Sequence, residues 1–476
     1  MPLYIQYMGA EAYGLVGFFT MLQAWFGMLD MGLTPTIGRE TARYHGGSVT
    51  AMAYRQLFRA LSLIFAAIAV IGGGGLWFLA DEVAEQWLNI EELRTDEVVF
   101  AVQIMAISVA LRWMGGLYRG VIAGSERLVW LSGFNFVIAT LRFVAVFASM
   151  WIFSFSPSVF FIHQLVVALL ELIGLWLMGS RLLPSRSLLR EAIGWSFRPV
   201  SSVLKFALTI AFTSSIWVLV TQSDKLILSG ILPLKEYGYF TLAVLIASGI
   251  MVISKPLSSA VQPRLTRLFA EGKMDSLVDL YCTSARLTTF ISFSVAITIS
   301  FFPYEVLYVW TGNEEIAIST KEILRFYVLG SGFLALAAFP SYLQNATGNL
   351  RYHLIGNLLI LGFLVPSSIF AAIYYGALGA SYVWFILNLA YLLVWVSYSH
   401  AKIIPGNALK WLVYGFVLPV MPFLVILSSV KLFYVNGVSD SRFSLFFDLA
   451  AIYGFALILC LMLFGRAFIR DTRGFF

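Results

Sequence analysis

The sequence predicts an all-α polytopic membrane protein, and three observations support that prediction. The mean hydropathy of the chain is +0.86, and only 12% of its residues are charged, about half of the share in a soluble domain. Apolar stretches long enough to cross a bilayer recur along nearly the whole chain. The first half of the chain also resembles the second half, which indicates one helical unit used twice.

Thirteen apolar stretches of roughly 20 residues qualify as membrane-spanning helices. Turn residues or charged segments separate them, except in the crowded regions 128–180 and 354–399, where the boundaries are softest. In chain order they are 13–37, 57–80, 97–123, 128–153, 155–180, 203–223, 238–262, 287–303, 322–346, 354–375, 378–399, 411–434 and 444–466.

The internal repeat is visible in short motifs at an offset of about 224 residues. The motif from Glu11 to Gly14 returns at 235–238, with Tyr-Gly in the same place. Further matching pairs are Asp30 with Lys255, Arg39 with Arg264, Tyr54 with Tyr281, Trp87 with Trp310 and Arg127 with Arg351. Repeated helical lobes are typical of transporters that alternate access around a site between the lobes.

The repeat predicts the domain organisation. We expect an N-terminal lobe in 1–185, a C-terminal lobe of six helices in 186–400, and two additional transmembrane helices with a cytoplasmic tail in 401–476. The stretch 203–223 precedes the second Tyr-Gly motif, whereas no such stretch precedes the first. We therefore expect this chain to lack the first of six helices in the N-terminal lobe. The alternative is a thirteen-helix protein with its N-terminus outside.

The connecting segments alternate in charge. Segments on one side carry more than three times as many Lys and Arg residues as those on the other. By the positive-inside rule this asymmetry predicts a cytoplasmic C-terminus. The same rule accounts for the net charge of +6 without a nucleic-acid partner.

Metal and cofactor chemistry finds no support in the sequence. The two cysteines, Cys282 and Cys460, provide no disulfide framework. The four histidines lie far apart, and none is next to a cysteine. We expect no metal site, no cofactor and no catalytic residue.

Several motifs resemble those of Wzx-type polysaccharide exporters, in the multidrug/oligosaccharidyl-lipid/polysaccharide exporter superfamily. The resemblance begins with 3–14, Leu29 to Leu33 and Arg39-Glu40, and it continues through Gln222 to Leu228 and Tyr237 to Phe240. Trp310 to Gly312 and Gln344 to Gly348 fit the same pattern. The order and spacing of these motifs over nearly the whole chain are more specific than any one of them.

The resemblance implies two six-helix lobes around a central cavity, with two extra helices in some members. It also implies that a polyprenyl-diphosphate-linked oligosaccharide is flipped from the cytoplasmic to the outer face of the membrane for surface polysaccharide such as O-antigen. H⁺ or Na⁺ and a polysaccharide polymerase are further possible partners. The expected absence of the first helix departs from the family pattern. In the family that helix lines the cavity, so its absence would affect activity.

Ionisable residues inside spans are the best site candidates, because a charge in a bilayer needs water or a partner. Arg112 and Arg119 are seven residues apart, and so are Asn135 and Arg142 and also Gln164 and Glu171, which places each pair on one helix face. Arginine donates two parallel hydrogen bonds to a phosphate. We predict a head-group site with Arg112 and Arg142, while Arg119 contributes or only anchors its helix. Glu171 carries an ion or neutralises an arginine.

The remaining candidates are distributed over both repeats. Asp30 and Lys255 occupy equivalent positions, and they form either an inner gate or coupling pair, or local bonds within their own lobes. Lys255 is also a candidate for substrate binding. Asp224 and Lys225 close a helix at the outer edge and are candidates for coupling. Gln344 and Asn345 bind sugar hydroxyls or hold helices together.

Other functions remain open on the sequence. A drug or cation antiporter of the same superfamily is the nearest alternative, and a peptidoglycan-precursor flippase is a close cousin. A membrane-embedded polysaccharide polymerase or acyltransferase is the alternative from another class. The excess of cations over anions inside the spans favours an anionic substrate.

Overall fold

The computed structural model describes residues 2–30, 32–185, 198–347, 350–406, 411–433 and 442–472. Helices make up nearly all of these residues, and the β-structure found among them is an isolated bridge between Asn89 and Pro233. The predicted all-α class is confirmed.

The helices that precede residue 198 are numbered α1 to α9 in chain order. They are α1 Pro2–Met8, α2 Ala10–Met28, α3 Leu33–His45, α4 Ala51–Phe78, α5 Ala80–Glu82, α6 Thr95–Gly124, α7 Leu128–Thr140, α8 Val146–Phe153 and α9 Pro157–Leu182. Wider π-helical turns extend α5 over Val83–Trp87 and join α7 to α8 over Leu141–Ala145.

The remaining helices are numbered α10 to α19. They are α10 Arg198–Ile231, α11 Leu234–Ala270, α12 Met274–Thr288, α13 Ser294–Phe301, α14 Pro303–Thr311, α15 Glu314–Thr347, α16 Arg351–Ala390, α17 Ser397–Ile403, α18 Leu418–Phe433 and α19 Arg442–Thr472. π-Helical turns occupy Thr289–Phe293, Tyr391–Val396 and Trp411–Val417.

Ten helical segments within the described residues have the length and hydropathy of a membrane span. They become eleven if α2 and α3, which are bent by 52° relative to each other, form one span. The segment Arg351–Ile403 counts once, although it contains two predicted spans separated by Gly376. Gly376 has a φ of 59°, a left-handed value that glycine adopts without strain, and it breaks the helix there. The chain is therefore a multi-pass membrane protein.

The described chain divides into two compact units. We call Tyr7–Lys235 the N-terminal unit, and Met1–Gln6 together with Glu236–Phe476 the C-terminal unit. The lobes expected from the repeat divide at residue 185 instead. The difference is α10, which packs against α2, α3 and α4 of the N-terminal unit. The grouping of helices into two six-helix lobes stays a prediction.

Close packing of α3 on α6 organises the N-terminal unit. Gly116, Gly120 and Gly124 form a stripe of small residues on α6 at intervals of four, which bring them to one face. A Cβ at Gly120 would lie 2.6 Å from the carbonyl oxygen of Thr34 on α3. Such a stripe lets two backbones approach closely, which is how helices commonly associate in membranes.

A buried carboxylate holds the loop before α6. Glu11, near the start of α2, accepts hydrogen bonds from three consecutive backbone N–H groups, those of Glu91, Glu92 and Leu93, at 2.7 to 2.8 Å. The backbone N–H of Leu234 donates to the carbonyl of Asn89 at 2.8 Å. Glu11, which precedes the first Tyr-Gly motif and is matched by Lys235 before the second, thus has a structural role.

The C-terminal unit has its own buried core, which the two additional helices complete. Tyr281 on α12 and His400 on α17 are fully buried, and the Tyr281 hydroxyl lies 2.6 Å from His400 Nε2. On α18, Lys431 donates to Glu305 of α14 at 3.0 Å. Arg442, at the start of α19, donates to the carbonyls of Val309 and Trp310. These contacts attach α18 and α19 to α14 of the same unit.

Replacement of Gly120 by alanine tests the α3–α6 contact. We expect Gly120→Ala to lower the free energy of unfolding in detergent by about 1–3 kcal/mol, because the added methyl group overlaps backbone atoms. The measurement is a thermal or denaturant melt of the purified protein. Gly133→Ala on α7 is the control, since nothing lies within 4 Å of its Cβ position. Equal melts for both variants would contradict the close contact.

Candidate functional site

Seven polar residues of the N-terminal unit form two hydrogen-bonded layers, which we call the polar ladder. The first rung contains Arg112, Arg142 and Gln164, together with Gln23 of α2. The second rung contains Arg119, Asn135 and Glu171. On α6, on α9 and on the α7–α8 segment, the first-rung residue and the second-rung residue are seven positions apart. The two rungs therefore lie about 10 Å apart along the helix axes.

In the first rung, one amide oxygen joins two arginines. Gln23 Oε1 accepts a hydrogen bond from Arg112 Nη1 at 3.0 Å and another from Arg142 Nη2 at 3.0 Å. Arg112 Nη2 also donates to Gln164 Oε1 at 2.8 Å. The guanidinium carbon of Arg112 lies 5.3 Å from the centre of the Phe19 ring, within the range of a cation–π contact. The neutral amide of Gln23 thus holds the two arginines side by side.

In the second rung, Arg119 bridges two helices. Its Nη1 donates to Asn135 Oδ1 of α7 at 2.6 Å, and its Nη2 donates to Glu171 Oε1 of α9. Arg112–Gln164 and Arg119–Glu171 are both separated by 52 residues, so α6 and α9 run in the same direction with matched register. The three predicted heptad pairs therefore meet as one ladder.

A π-helical turn positions Arg142 in the first rung. The turn at Leu141–Ala145 follows α7, and α9 packs against it. His163 Nε2 lies 2.9 Å from the Leu141 carbonyl, and the Gln164 amide donates to the Arg142 carbonyl at 3.0 Å. Two neighbouring residues of α9 thus bind two neighbouring carbonyls of the turn. π-Turns inside helices occur frequently at functional sites.

The ladder has more positive than negative charge, and it is largely buried. It contains three guanidiniums and one carboxylate, that of Glu171. The side chains of Arg112 and Glu171 are 9% and 7% exposed, while Arg119 retains 29%. Arg112 Nε and Glu171 Oε2 lie 3.8 Å apart, and neither atom has a hydrogen-bond partner. The pair is therefore held by charge alone, with donor capacity left over.

This arrangement suits an anion with several oxygens. Guanidiniums donate in a fixed fork that matches phosphate oxygens. Attraction between charges is also stronger away from water. A group of three or more His, Cys, Asp or Glu side chains that could hold a metal ion is not found in the described part of the chain.

Asp30 forms local bonds. Its Oδ1 accepts from the backbone N–H of Thr34 at 3.1 Å and from the Thr34 hydroxyl at 2.6 Å. It lies at the break between α2 and α3, where Gly32 adopts a left-handed φ of 68°. Asp30 belongs to the N-terminal unit and Lys255, on α11, to the C-terminal unit. Their pairing stays a prediction.

The other candidates lie outside the ladder. Asp224 and Lys225 do not end a helix as expected, because α10 continues to Ile231. Lys225 Nζ donates to the Thr221 carbonyl at 2.5 Å and lies 3.4 Å from Asp224 Oδ1. Buried Gln344 accepts from the backbone N–H of His353, which joins α15 to α16, whereas Asn345 is exposed. Of the two alternatives for Gln344, the structure provides the helix-joining contact.

Sequence reasoning missed Gln23 and His163. Gln23 is a single polar residue among apolar neighbours on α2, and a lone glutamine in a span indicates a polar contact without naming its partner. His163 immediately precedes Gln164, but consecutive residues of a helix point about 100° apart, so the heptad spacing did not indicate it. Its hydrogen bond to Leu141 depends on the wider turn, which has no clear sequence signature.

The chain matches known protein families and a known bacterial protein in sequence. The family model for polysaccharide biosynthesis proteins matches residues 1–269. The MatE family model matches residues 209–370. A protein of Shigella flexneri named as an O-antigen transporter is 22% identical over 404 residues, which are 82% of this chain and 90% of that protein.

Solved transporter structures share the fold. The lipid II flippase MurJ, in an inward closed conformation, matches with a TM-score of 0.65 and 14% identity over 97% of this chain and 98% of that chain. An inward-facing multidrug resistance transporter of the MATE family matches with a TM-score of 0.63 and 15% identity over 86% of this chain and 94% of that chain. These relatives are named as transporters or flippases rather than as enzymes.

Truncation of Glu171 tests whether the ladder stabilises the fold. We expect Glu171→Ala to lower the free energy of unfolding by roughly 3–5 kcal/mol, because it leaves buried guanidiniums without their carboxylate. Asp96→Ala is the matched control, since Asp96 pairs with Arg94 at the surface, where both side chains are more than half exposed. Melting of both purified variants in detergent measures the difference. A wild-type melt for Glu171→Ala would rule out the buried ion pair.

Proposed function

The chain belongs to the polysaccharide biosynthesis protein family, and on that basis we propose that it is a flippase for a lipid-linked oligosaccharide. It is a membrane transporter of the multidrug/oligosaccharidyl-lipid/polysaccharide exporter superfamily. Its proposed substrate is a polyprenyl-diphosphate-linked oligosaccharide, moved from the cytoplasmic to the outer face of the plasma membrane by alternating access.

The polar ladder is the observation that carries this proposal. A sugar–diphosphate–lipid has two negative charges on its head, and the ladder has an excess of two positive charges. Arg112 and Arg142, held on one glutamine oxygen, present donors side by side, as two linked phosphates require. Because the membrane interior penalises isolated charge, a site of this kind would bind the head group at the place where lipid alone would exclude it.

The proposal also assigns the membrane orientation, the driving ion and the partner of the transporter. The lipid tail of the substrate would remain in the bilayer, while the glycan needs a water-accessible path. We place the basic segments and the C-terminus on the cytoplasmic side, following the positive-inside rule. H⁺ or Na⁺ would supply the driving force, and a polysaccharide polymerase would use the product. Lys255, Asp30 and the Asp224–Lys225 pair remain proposed contributors to binding or coupling.

A drug or cation antiporter is the second candidate. It is favoured by the MatE match over 209–370 and by the fold shared with a multidrug resistance transporter. A cationic drug needs acidic partners, however. The polar ladder has one carboxylate against three guanidiniums, and both oxygens of that carboxylate face arginines. The charge of the ladder therefore favours the anionic substrate.

Arginine replacements test the flippase function in cells that lack the wild-type protein. We expect Arg112→Gln and Arg142→Gln to reduce export of the polyprenyl-linked glycan at least about tenfold, which corresponds to about 1.4 kcal/mol. The measurement is the fraction of the lipid-linked glycan that is accessible on the outer face. Protein abundance in the membrane is measured in parallel.

The control variant is Arg94→Gln. Arg94 is an exposed arginine of the same unit whose partner is Asp96, so export should be unchanged. Wild-type export by both ladder variants at normal abundance would remove the ladder from the substrate site. Normal glycan sidedness in cells without the protein, together with altered drug sensitivity, would favour the antiporter instead.

A further inference from the structure

We propose that Glu171 is an internal competitor for the anionic head group, which lowers the affinity of the polar ladder so that the substrate can leave. This inference rests on the proposed function and assigns a role to one residue within it. Glu171 is buried, and its two oxygens face two different arginines, Arg119 and Arg112. It is the one carboxylate in the ladder.

The contacts of Glu171 are unequal, and this inequality makes displacement feasible. Oε1 accepts a hydrogen bond from Arg119, whereas Oε2 lies 3.8 Å from Arg112 Nε without a hydrogen bond. Arg112 is held instead by the amides of Gln23 and Gln164, at 3.0 and 2.8 Å. A phosphate oxygen could therefore bond to Arg112 Nε while Glu171 stays on Arg119. Binding of the phosphate would then cost only the attraction between Arg112 Nε and Glu171 Oε2, which do not form a hydrogen bond.

The net charge of the ladder explains why a competing carboxylate would help transport. Without Glu171 the ladder would have three positive charges for a head group with two negative charges. With Glu171 present, the occupied site is neutral. An occupied site with surplus positive charge would hold the anion too tightly for release on the other side of the membrane. Fast passage requires binding strong enough for entry and weak enough for exit.

The Gln164 amide does not compete in this way. It occupies the position on α9 one heptad before Glu171, and its oxygen accepts from Arg112 at 2.8 Å. Being neutral, it orients the guanidinium without cancelling its charge. The first rung thus orients two arginines, and Glu171 in the second rung lowers the net positive charge of the ladder.

The test is binding of inorganic pyrophosphate to the purified full chain in detergent, measured by calorimetry. Inorganic pyrophosphate is the probe because it has the linked phosphates without the lipid. We expect Glu171→Gln to bind it at least tenfold more tightly than the wild type, because the glutamine keeps the shape and a hydrogen bond but not the charge. Glu171→Asp, which keeps the charge, should remain within about threefold of the wild type.

Two further variants separate the inference from the proposed function. Arg112→Gln should weaken pyrophosphate binding, and the Arg112→Gln/Glu171→Gln double variant should lose most of the gain. Glu97→Gln is the control for protein charge, since Glu97 lies in the first turn of α6 and accepts from Ser158. It should bind like the wild type. Glu171→Gln keeps an oxygen that can accept from Arg119, so it is the uncharged variant expected to fold, and its melt in detergent is compared with the wild type before binding is measured.

The outcomes are distinct. Weaker binding by Arg112→Gln with unchanged or weaker binding by Glu171→Gln would overturn the competitor and leave the flippase proposal intact. Pyrophosphate binding that responds to neither residue would remove the ladder as the head-group site, and the competitor with it. A similar gain in Glu97→Gln would show a general effect of protein charge and would also overturn the inference.

Discussion

The constraint on which the N-terminal unit depends is that a charge buried in a membrane protein needs a partner. Three arginines and one glutamate meet this constraint within a single ladder on α2, α6, α9 and the α7–α8 segment. Each rung joins helices that are distant in sequence, so the polar contacts specify which helices are neighbours and in which register. Apolar contacts in lipid are far less selective, because a bilayer surrounds every helix with similar material.

Helix α6 packs against α3 through its glycines and contributes two arginines to the polar ladder. On α6, glycines at intervals of four bring the backbone of α3 close, while arginines at an interval of seven bond to residues of α7 and α9. The close approach on one side positions α6 firmly, which reduces the freedom of the arginines on the other side. A site on a rigid helix can therefore hold two guanidiniums on one oxygen atom.

The two repeats have kept matching residues but have given them different partners. Tyr54 lies 2.7 Å from the Thr41 hydroxyl in the first repeat, whereas the matching Tyr281 pairs with His400 in the second. Glu305 contacts Lys431 of α18, and Trp310, which matches Trp87, contacts Arg442 of α19. Helices α18 and α19 thus bind residues of α14 whose matching stretch in the first half of the chain has no such partner helices among the described residues.

Hydropathy and heptad spacing determined much of this protein without any structure. They were sufficient for the all-α membrane class, for the positions of most long helices and for the three pairs of polar residues that share helix faces. Hydropathy follows from the apolar solvent, and heptad spacing follows from the 3.6-residue period of the helix. Sequence spacing says nothing about which faces meet. Only the tertiary structure decided that the pairs form one ladder, that Gln23 joins two arginines and that α10 packs in the N-terminal unit. Those contacts depend on helix packing and on a π-turn, and both result from atoms distant in the chain.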